Sequence, residues 1–337
     1  MHARPWALAR TILVTATLTA TLVAAAACAG PPDAESGGHG HAAGFPVTAK
    51  SCGFTSKVDH RPKRAVTLNQ GATEVALALG LQDRLIGTAY LDDGVAPSWQ
   101  KAYGSVDVMA KEYPSRESLL AARPDFVYAS YGSAYDAKNV GSQKDLDRSG
   151  VDSYLSAFSC GPNGSSTGIS IEQVWDELGT VADVFGVPER AARIEKDQRS
   201  RLAAVEDDAE GKDRSVFWFD SGDKTAFAAA GEGGPQIIMD SVGAKNVFDD
   251  VKGGWADVSW EKVVAADPDV IVLVDASWSS AAEKRKRLRT DPALRGLRAV
   301  KHDRIVTVPF SESTPGVRLV DGATRISDQL DALDLSL

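Results

Sequence analysis

Three sets of residues in this 337-residue chain have types and spacings that could do chemistry: a recurring carboxylate, three cysteines and five histidines. The carboxylates are Glu117 and Glu261. Ser115-Arg116-Glu117-Ser118-Leu119-Leu120-Ala121-Ala122-Arg123-Pro124-Asp125 lies against Ser259-Trp260-Glu261-Lys262-Val263-Val264-Ala265-Ala266-Asp267-Pro268-Asp269 at a constant offset of 144, with six identities in eleven positions. Each copy should build the same joint: Ser caps a helix, Glu meets the positive end of its dipole, Pro stops it and a strand follows. Ala-Ala-x-Pro-Asp is an easy string to write by chance, but six identities in one register favour duplication or a shared role.

The histidines argue against two chemistries. His39 and His41 fall in a glycine-rich tail, which leaves His60 and His302 to supply imidazole beyond it, too few for a site that captures bare Zn or Mn. His302-Asp303 could suggest hydrolysis, but it sits in a Lys-His-Asp-Arg turn before a strand. A solvated surface histidine is the ordinary explanation there, and neither a nucleophile elbow nor a phosphate-binding glycine loop is read beside it. No catalytic residue is assigned. Of the cysteines, Cys52 and Cys160 adjoin glycines in turn-like sequence, and a disulfide between them is the favoured reading in an oxidising compartment. It would contribute about 4–5 kcal/mol in the chain-entropy model.

The elements that must position these residues follow a regular rhythm. Ala65–Leu68, Leu85–Thr88, Phe126–Ala129 and Ser153–Leu155 read as strands, with a helix at Thr73–Leu81 ending near Gly80. The rhythm resumes at Val216–Phe219, Val270–Val274 and Ile305–Val308. Such alternation specifies a parallel sheet covered by helices. Between the two series, Ile171, Val174, Trp175, Leu178, Val181, Ala182 and Phe185 recur at helical spacing and stop at Gly186. Pro188 then suits a first helical position, and the stretch to about Glu210 reads as one helix roughly 35 Å long. The expected architecture is α/β, with an N-terminal lobe at 46–185, a linking helix at 186–211 and a C-terminal lobe at 212–337.

The N-terminus reads as an export signal. Arg4 and Arg10 precede an uncharged stretch from Thr11 to Ala27, too short and too rich in Ala and Thr for a retained span. Ala25-Ala26-Ala27-Cys28 resembles a bacterial lipobox with Ala25 where Leu is usual, so Cys28 is the expected lipidation site and residues 28–45 a flexible tether. Removing residues 1–27 takes two arginines from a net charge of −9 and leaves −11. So acidic a chain is a poor nucleic-acid binder.

With the repeat and the long helix in view, the chain resembles the periplasmic-binding-protein family for iron–siderophore complexes, haem and vitamin B12. The resemblance runs from Phe45 to Leu333. It rests on Arg64-Ala-Val-Thr-Leu-Asn-Gln-Gly-Ala-Thr-Glu74, Gly243-Ala-Lys-Asn-Val-Phe248, Trp255-Ala-Asp-Val-Ser-Trp-Glu261 and Thr314-Pro-Gly-Val-Arg318. It implies two Rossmann-like lobes with mainly parallel sheets, joined by a single long rigid helix, with the ligand between them. It also implies that Glu117 and Glu261, one per lobe, dock on arginines of an ABC importer's membrane subunits.

The ligand loops should then follow the strands at the carboxyl edge of each sheet. They offer Asn69, Gln70, Tyr90, Asp92, Asp93, Glu112, Tyr113, Tyr131 and Tyr135 in the first lobe. The second lobe offers Asp220, Phe227, Glu232, Trp255, Trp278, Phe310, Glu312 and Arg318. Trp255 aligns with an aromatic contact of related binders; Arg318 either contacts ligand or braces the last helix. Aromatic residues suit a bulky ring-bearing ligand. Basic residues are confined to Lys224 and Arg318, which speaks against an anionic ferric catecholate and for a ferric hydroxamate. A corrinoid or haem is the alternative cargo, and a ligand-sensing subunit or a hydrolase lies further off. No resident cofactor or metal is expected; the implied partners are the importer, the membrane through the lipid, and the small-molecule ligand.

Overall fold

The computed structural model describes residues 44–160 and 168–333. The expected signal peptide, Cys28, His39 and His41 lie outside the described residues. Described chain begins at Gly44, and Phe45 already packs against the first lobe's core, so the fold starts slightly before residue 46.

The chain enters through a hairpin of β1 (Val47–Ser51) and β2 (Phe54–Val58). Its two-residue turn puts both Cys52 (φ 46°) and Gly53 (φ 86°) at positive φ, as a tight hairpin turn that matches strand twist requires. A parallel five-stranded sheet follows: β3 (Ala65–Leu68), β4 (Leu85–Ala89), β5 (Val108–Ala110), β6 (Phe126–Ala129) and β7 (Asp152–Leu155), in the order β5-β4-β3-β6-β7. Its helices are α1 (Gln70–Ala78), α2 (Gln100–Tyr103), α3 (Arg116–Ala121) and α4 (Gln143–Asp147). The hairpin seals the β7 edge through side chains. Ser51 Oγ accepts from Leu155 N at 2.7 Å and Ser56 Oγ from Ser153 N at 3.3 Å, so donors of an edge strand find partners inside the fold. The disulfide Cys52–Cys160 ties the hairpin turn to the segment after β7, with Cα atoms 4.8 Å apart.

Helix α5 (Ile171–Val184) ends where expected. Gly186 N donates to Asp183 O and Val187 N to Ala182 O, a Schellman closure that needs the φ of +63° glycine supplies. Pro188 opens α6 (Pro188–Asp208), 21 residues long. Ala191 of α6 lies in the first lobe's core, and Leu202 and Val205 lie in the second's. Burying Leu202 and Val205 is worth about 1.5–3 kcal/mol each, and Ala191 adds a smaller contribution, so one helix is anchored in both cores.

The second lobe holds β8 (Ser215–Ser221), β9 (Ala226–Ala229), β10 (Lys245–Asn246), β11 (Trp255–Val258), β12 (Val270–Asp275) and β13 (Ile305–Pro309). They are ordered β11-β9-β8-β12-β13, with β10 also on β8. Strands β8, β10, β12 and β13 run parallel; β9 runs antiparallel to both its neighbours, β8 and β11, a departure from the uniform alternation expected. Gly222–Thr225 is too short to cross over a sheet, so β8 must return as a hairpin. Covering helices are α7 (Gly233–Ser241), α8 (Trp260–Ala266), α9 (Ala281–Thr290), α10 (Arg298–Lys301), α11 (Phe310–Ser313) and α12 (Leu319–Asp331).

The repeat is structural. Ser115 Oγ accepts from Ser118 N and Ser259 Oγ from Lys262 N, capping α3 and α8. Its final aspartates also match: Asp125 accepts from Lys63 N and Arg64 N, and Asp269 from Ser215 N and Ser215 Oγ. Each carboxylate therefore pins the start of its sheet's central strand.

Candidate functional site between the lobes

The carboxyl ends of β3, β4 and β6 carry the first lobe's polar residues. At two of these ends the backbone holds a non-glycine residue at positive φ, Asn69 at 77° and Tyr90 at 60°. Such conformations cost about 1–3 kcal/mol and persist where surrounding structure enforces them. Asn69 is buried and donates from Nδ2 to the Tyr113 hydroxyl at 2.8 Å; that hydroxyl lies 2.9 Å from Ser133 Oγ. Tyr90 packs its ring edge-on against Tyr113 with centroids 4.5 Å apart. Burial raises the Tyr113 phenol above its ordinary value. Tyr131, beyond β6, is raised well above its usual range by burial, and Asp92, Tyr113 and Asp220 push it the same way.

Asp92 and Asp93 point the site towards the second lobe. Ser277 donates to the Asp92 carbonyl at 2.9 Å, and Ser311 donates to Asp93 Oδ2 at 2.8 Å. A pocket of about 360 Å³ is lined from both sides by Leu91–Gly94 and Asp275–Ser277. Burial, with Asp93 beside it, raises the Asp92 carboxyl to about 6. In the second lobe Asp220, 4% exposed at the end of β8, is also raised by burial, relieved partly by Ser221 and Lys284. Aromatic pairs flank this side: Phe227 stacks on Trp255 at 5.6 Å, and Trp278 meets Phe310 edge-on at 4.7 Å. Trp278 is 51% exposed, whereas Trp255 is half-buried.

Several expected contacts are instead braces. Tyr135 is 8% exposed and donates its hydroxyl to Val127 O and Tyr154 O, so it fills the first lobe's core. Gln70 has both ends committed, Nε2 to Glu74 Oε1 and Oε1 to Asp93 N. Arg318 resolves to the bracing role. It is buried and donates to Glu74 Oε1 at 3.2 Å, Ser311 Oγ at 2.7 Å and Glu312 Oε1 at 2.5 Å, while Arg325 reaches Glu312 Oε2 at 2.5 Å. Glu232 accepts from Gly168 N at 3.1 Å, and Glu112 is exposed.

Glu74, Ser277 and Ser311 were missed as site-builders. The available signal was a glutamate amid Ala, Thr and Val on a short helix, a position where a charge needs a partner. Burial raises Glu74 to about 7 even with Arg318 beside it. Arg318 is desolvated too, yet Glu74 and Glu312 together hold it above its ordinary value. We take burial to dominate at Glu74, because one guanidinium divides its charge between two carboxylates.

Glu117 and Glu261 sit exposed in the first turns of α3 and α8, both lowered by hydrogen bonding from their own backbone N–H and from the capping serine. No group of three or more metal-ligating side chains occurs among the described residues, and no helix among them is long and apolar enough to cross a membrane. Gly164-Ser165-Ser166-Thr167-Gly168 does carry the letters of a nucleophile elbow, which corrects the expectation above. The nearest described element before it is the Ala157–Ser159 turn, not a strand, and residues 161–167 lie outside the described residues.

Two α/β lobes fused along one helix, with polar and aromatic loops facing each other, define a class of receptor. The chain belongs to the periplasmic binding protein family, whose model matches residues 66–312. Within that class it is a solute-binding protein of the ABC-importer type. The uncharacterized ABC transporter substrate-binding lipoprotein YvrC of Bacillus subtilis is 24% identical over 292 residues, covering 85% of this chain and 86% of that protein. A vitamin B12-binding protein of Vibrio parahaemolyticus is 24% identical over 210 residues, or 62% of this chain and 70% of that one. A periplasmic binding protein from Veillonella parvula superimposes with a TM-score of 0.75 at 29% identity, covering 85% of this chain and 97% of that one.

Proposed function

We propose that the protein is a lipid-anchored, extracytoplasmic receptor that delivers a ferric siderophore of the hydroxamate class to an ABC importer. The observation that carries the ligand class is the charge of the interlobe loops. They present Asp92, Asp93, Asp220 and Asp275, with aromatic rings beside them, while Arg318 is consumed by Glu74 and Glu312. A ferric catecholate bears a high negative charge and would meet these carboxylates with only the Lys284 ammonium near Asp220, itself spent on two carbonyls, to offset it. A neutral or cationic ferric hydroxamate meets no such penalty. Asn69, Tyr90, Tyr113, Tyr131, Trp255 and Trp278 are the proposed contacts, and Glu117 and Glu261 the docking carboxylates, rigidly presented on capped helices. Anchoring is assigned to Cys28.

A corrinoid is the second reading, favoured by the vitamin B12-binding relative. Native mass spectrometry of the protein offered a ferric trihydroxamate, a ferric tricatecholate, haem and cobalamin in equal amounts decides between them. Retention of the trihydroxamate mass is expected. Retention of the tricatecholate with loss of the trihydroxamate would overturn the ligand class, and retention of cobalamin alone would establish the second reading.

A further inference from the structure

Two acceptor atoms in the cleft have no partner among the described residues. Asp92 Oδ2 and Asp220 Oδ1 are both fully buried, and neither receives a hydrogen bond. A buried carboxylate oxygen left unpaired is costly, and such groups in folded proteins ordinarily find a donor. The two come from different lobes, Asp92 after β4 and Asp220 at the end of β8. Both charges bear on the same residue, Tyr131. The rest of the neighbourhood is already committed. Asp93 accepts from Ser311 and from Gly94 N, Asp275 Oδ1 accepts from Ala281 N, and Asp220 Oδ2 accepts from Ser221.

The nearby cation does not fill the gap. Lys284 lies close enough to Asp220 to feel its charge, yet its ammonium donates to Val274 O and Ser279 O instead. The pocket against Asp92 is lined from both lobes by Leu91, Asp92, Asp93, Gly94, Asp275, Ala276 and Ser277, and so contains three carboxylates and no basic side chain. Acceptor-only groups facing an interlobe space require donors from whatever occupies it.

We propose that the unpartnered oxygens of Asp92 and Asp220, one from each lobe, receive protonated amine groups of the ligand, so that the cargo is a cationic, amine-bearing chelate. This rests on the hydroxamate reading and adds a charge requirement to it.

The test uses two probes on the intact mature protein: a linear ferric trihydroxamate ending in a primary ammonium, and the same complex with that amine acetylated. Quenching of tryptophan fluorescence reports binding. The ammonium form should bind about 10- to 100-fold more tightly, the range that a charge-assisted hydrogen bond supplies. Asp92→Asn or Asp220→Asn should reduce that preference, read as the ratio of the two affinities, about tenfold or more; thermal melts confirm that the variants fold. Should a variant fail to fold, the parent's preference between the two forms is the deciding measurement. Equal binding of the two forms by the parent overturns the ammonium seat and leaves the hydroxamate reading in place. Binding of neither form overturns both.

Discussion

Replacing Glu74 by Gln separates two opposing accounts of the buried cluster at the lobe junction. Glu74 is 2% exposed and receives Gln70 Nε2, Ala96 N and Arg318 Nη1 on one oxygen. If burial outweighs the ion pair, the folded carboxyl is raised to about 7 from an ordinary value of 4.5. A raised carboxyl means that the folded state holds a proton which the unfolded state has already released. Stability from this group is therefore full below about pH 4.5 and is lost as pH rises to about 7. The gap corresponds to about 3 kcal/mol at 1.36 kcal/mol per pH unit. Gln cannot titrate, and it keeps the shape of the protonated acid. The stability of Glu74→Gln relative to the parent should thus rise by about 2.5 kcal/mol between pH 5 and pH 8. Asp92 titrates in both proteins and cancels from the difference. Urea unfolding at the two pH values, followed by tryptophan fluorescence, measures it directly. A relative stability that stays flat between pH 5 and pH 8 would show that Arg318 holds Glu74 ionised throughout that window, and would refute the assignment of burial as the stronger effect.

Reversing both docking carboxylates, Glu117→Lys with Glu261→Lys, should abolish ligand uptake by cells while affinity of the isolated protein is unchanged; normal uptake would falsify the docking role. Replacing Cys52 and Cys160 by Ser opens a bridge spanning 108 residues and should remove about 4–5 kcal/mol of stability in the chain-entropy model. Calorimetry that finds the melting temperature unmoved would discount the bridge as a major restraint. Ser259→Ala removes the cap of α8 and should cost about 1 kcal/mol, with Ser115→Ala alike in the other lobe. Denaturant midpoints that shift for one serine and not the other would break the equivalence of the two joints.

Elements bounded by backbone chemistry were the most legible. Ala65–Leu68 and Phe126–Ala129 are strands as expected, and Gly186 and Pro188 mark the end of α5 and the start of α6. Helix α1 begins at Gln70 and not at Thr73, because the strained Asn69 turns the chain straight into it; the polar Gln70-Gly71 pair looked like a loop. The β1–β2 hairpin was not foreseen. Its strands alternate small polar and modest apolar residues, and its role depends on Ser51 and Ser56 reaching a strand about a hundred residues away. The site was legible as a set of loops and far less so as a set of roles. Residue type and loop position indicate what can reach a cleft. They do not show that Tyr135 will find two core carbonyls, or that Arg318 will find Glu74 some 244 residues earlier.

These ties also constrain how the lobes can part. Near the mouth, Ser277 to the Asp92 carbonyl is an exposed hydrogen bond exchangeable with water, and the buried Ser311 makes a single one to Asp93, each worth about 1 kcal/mol. At the back, Gln198 of α6 joins Trp175 Nε1 to Val317 O, and Arg318 joins Glu74 to Glu312, all in buried surroundings. Breaking a buried ion pair by withdrawing one partner costs about 3–5 kcal/mol. Swinging the lobes wide would also pull α6 from one of the two cores it serves. Opening is therefore cheap at the mouth and expensive at the junction, so the lobes can breathe around Asp92 and Asp93 without separating. A receptor built this way selects its ligand with a largely preformed cleft, and the charge of that cleft then matters more than the motion of its walls.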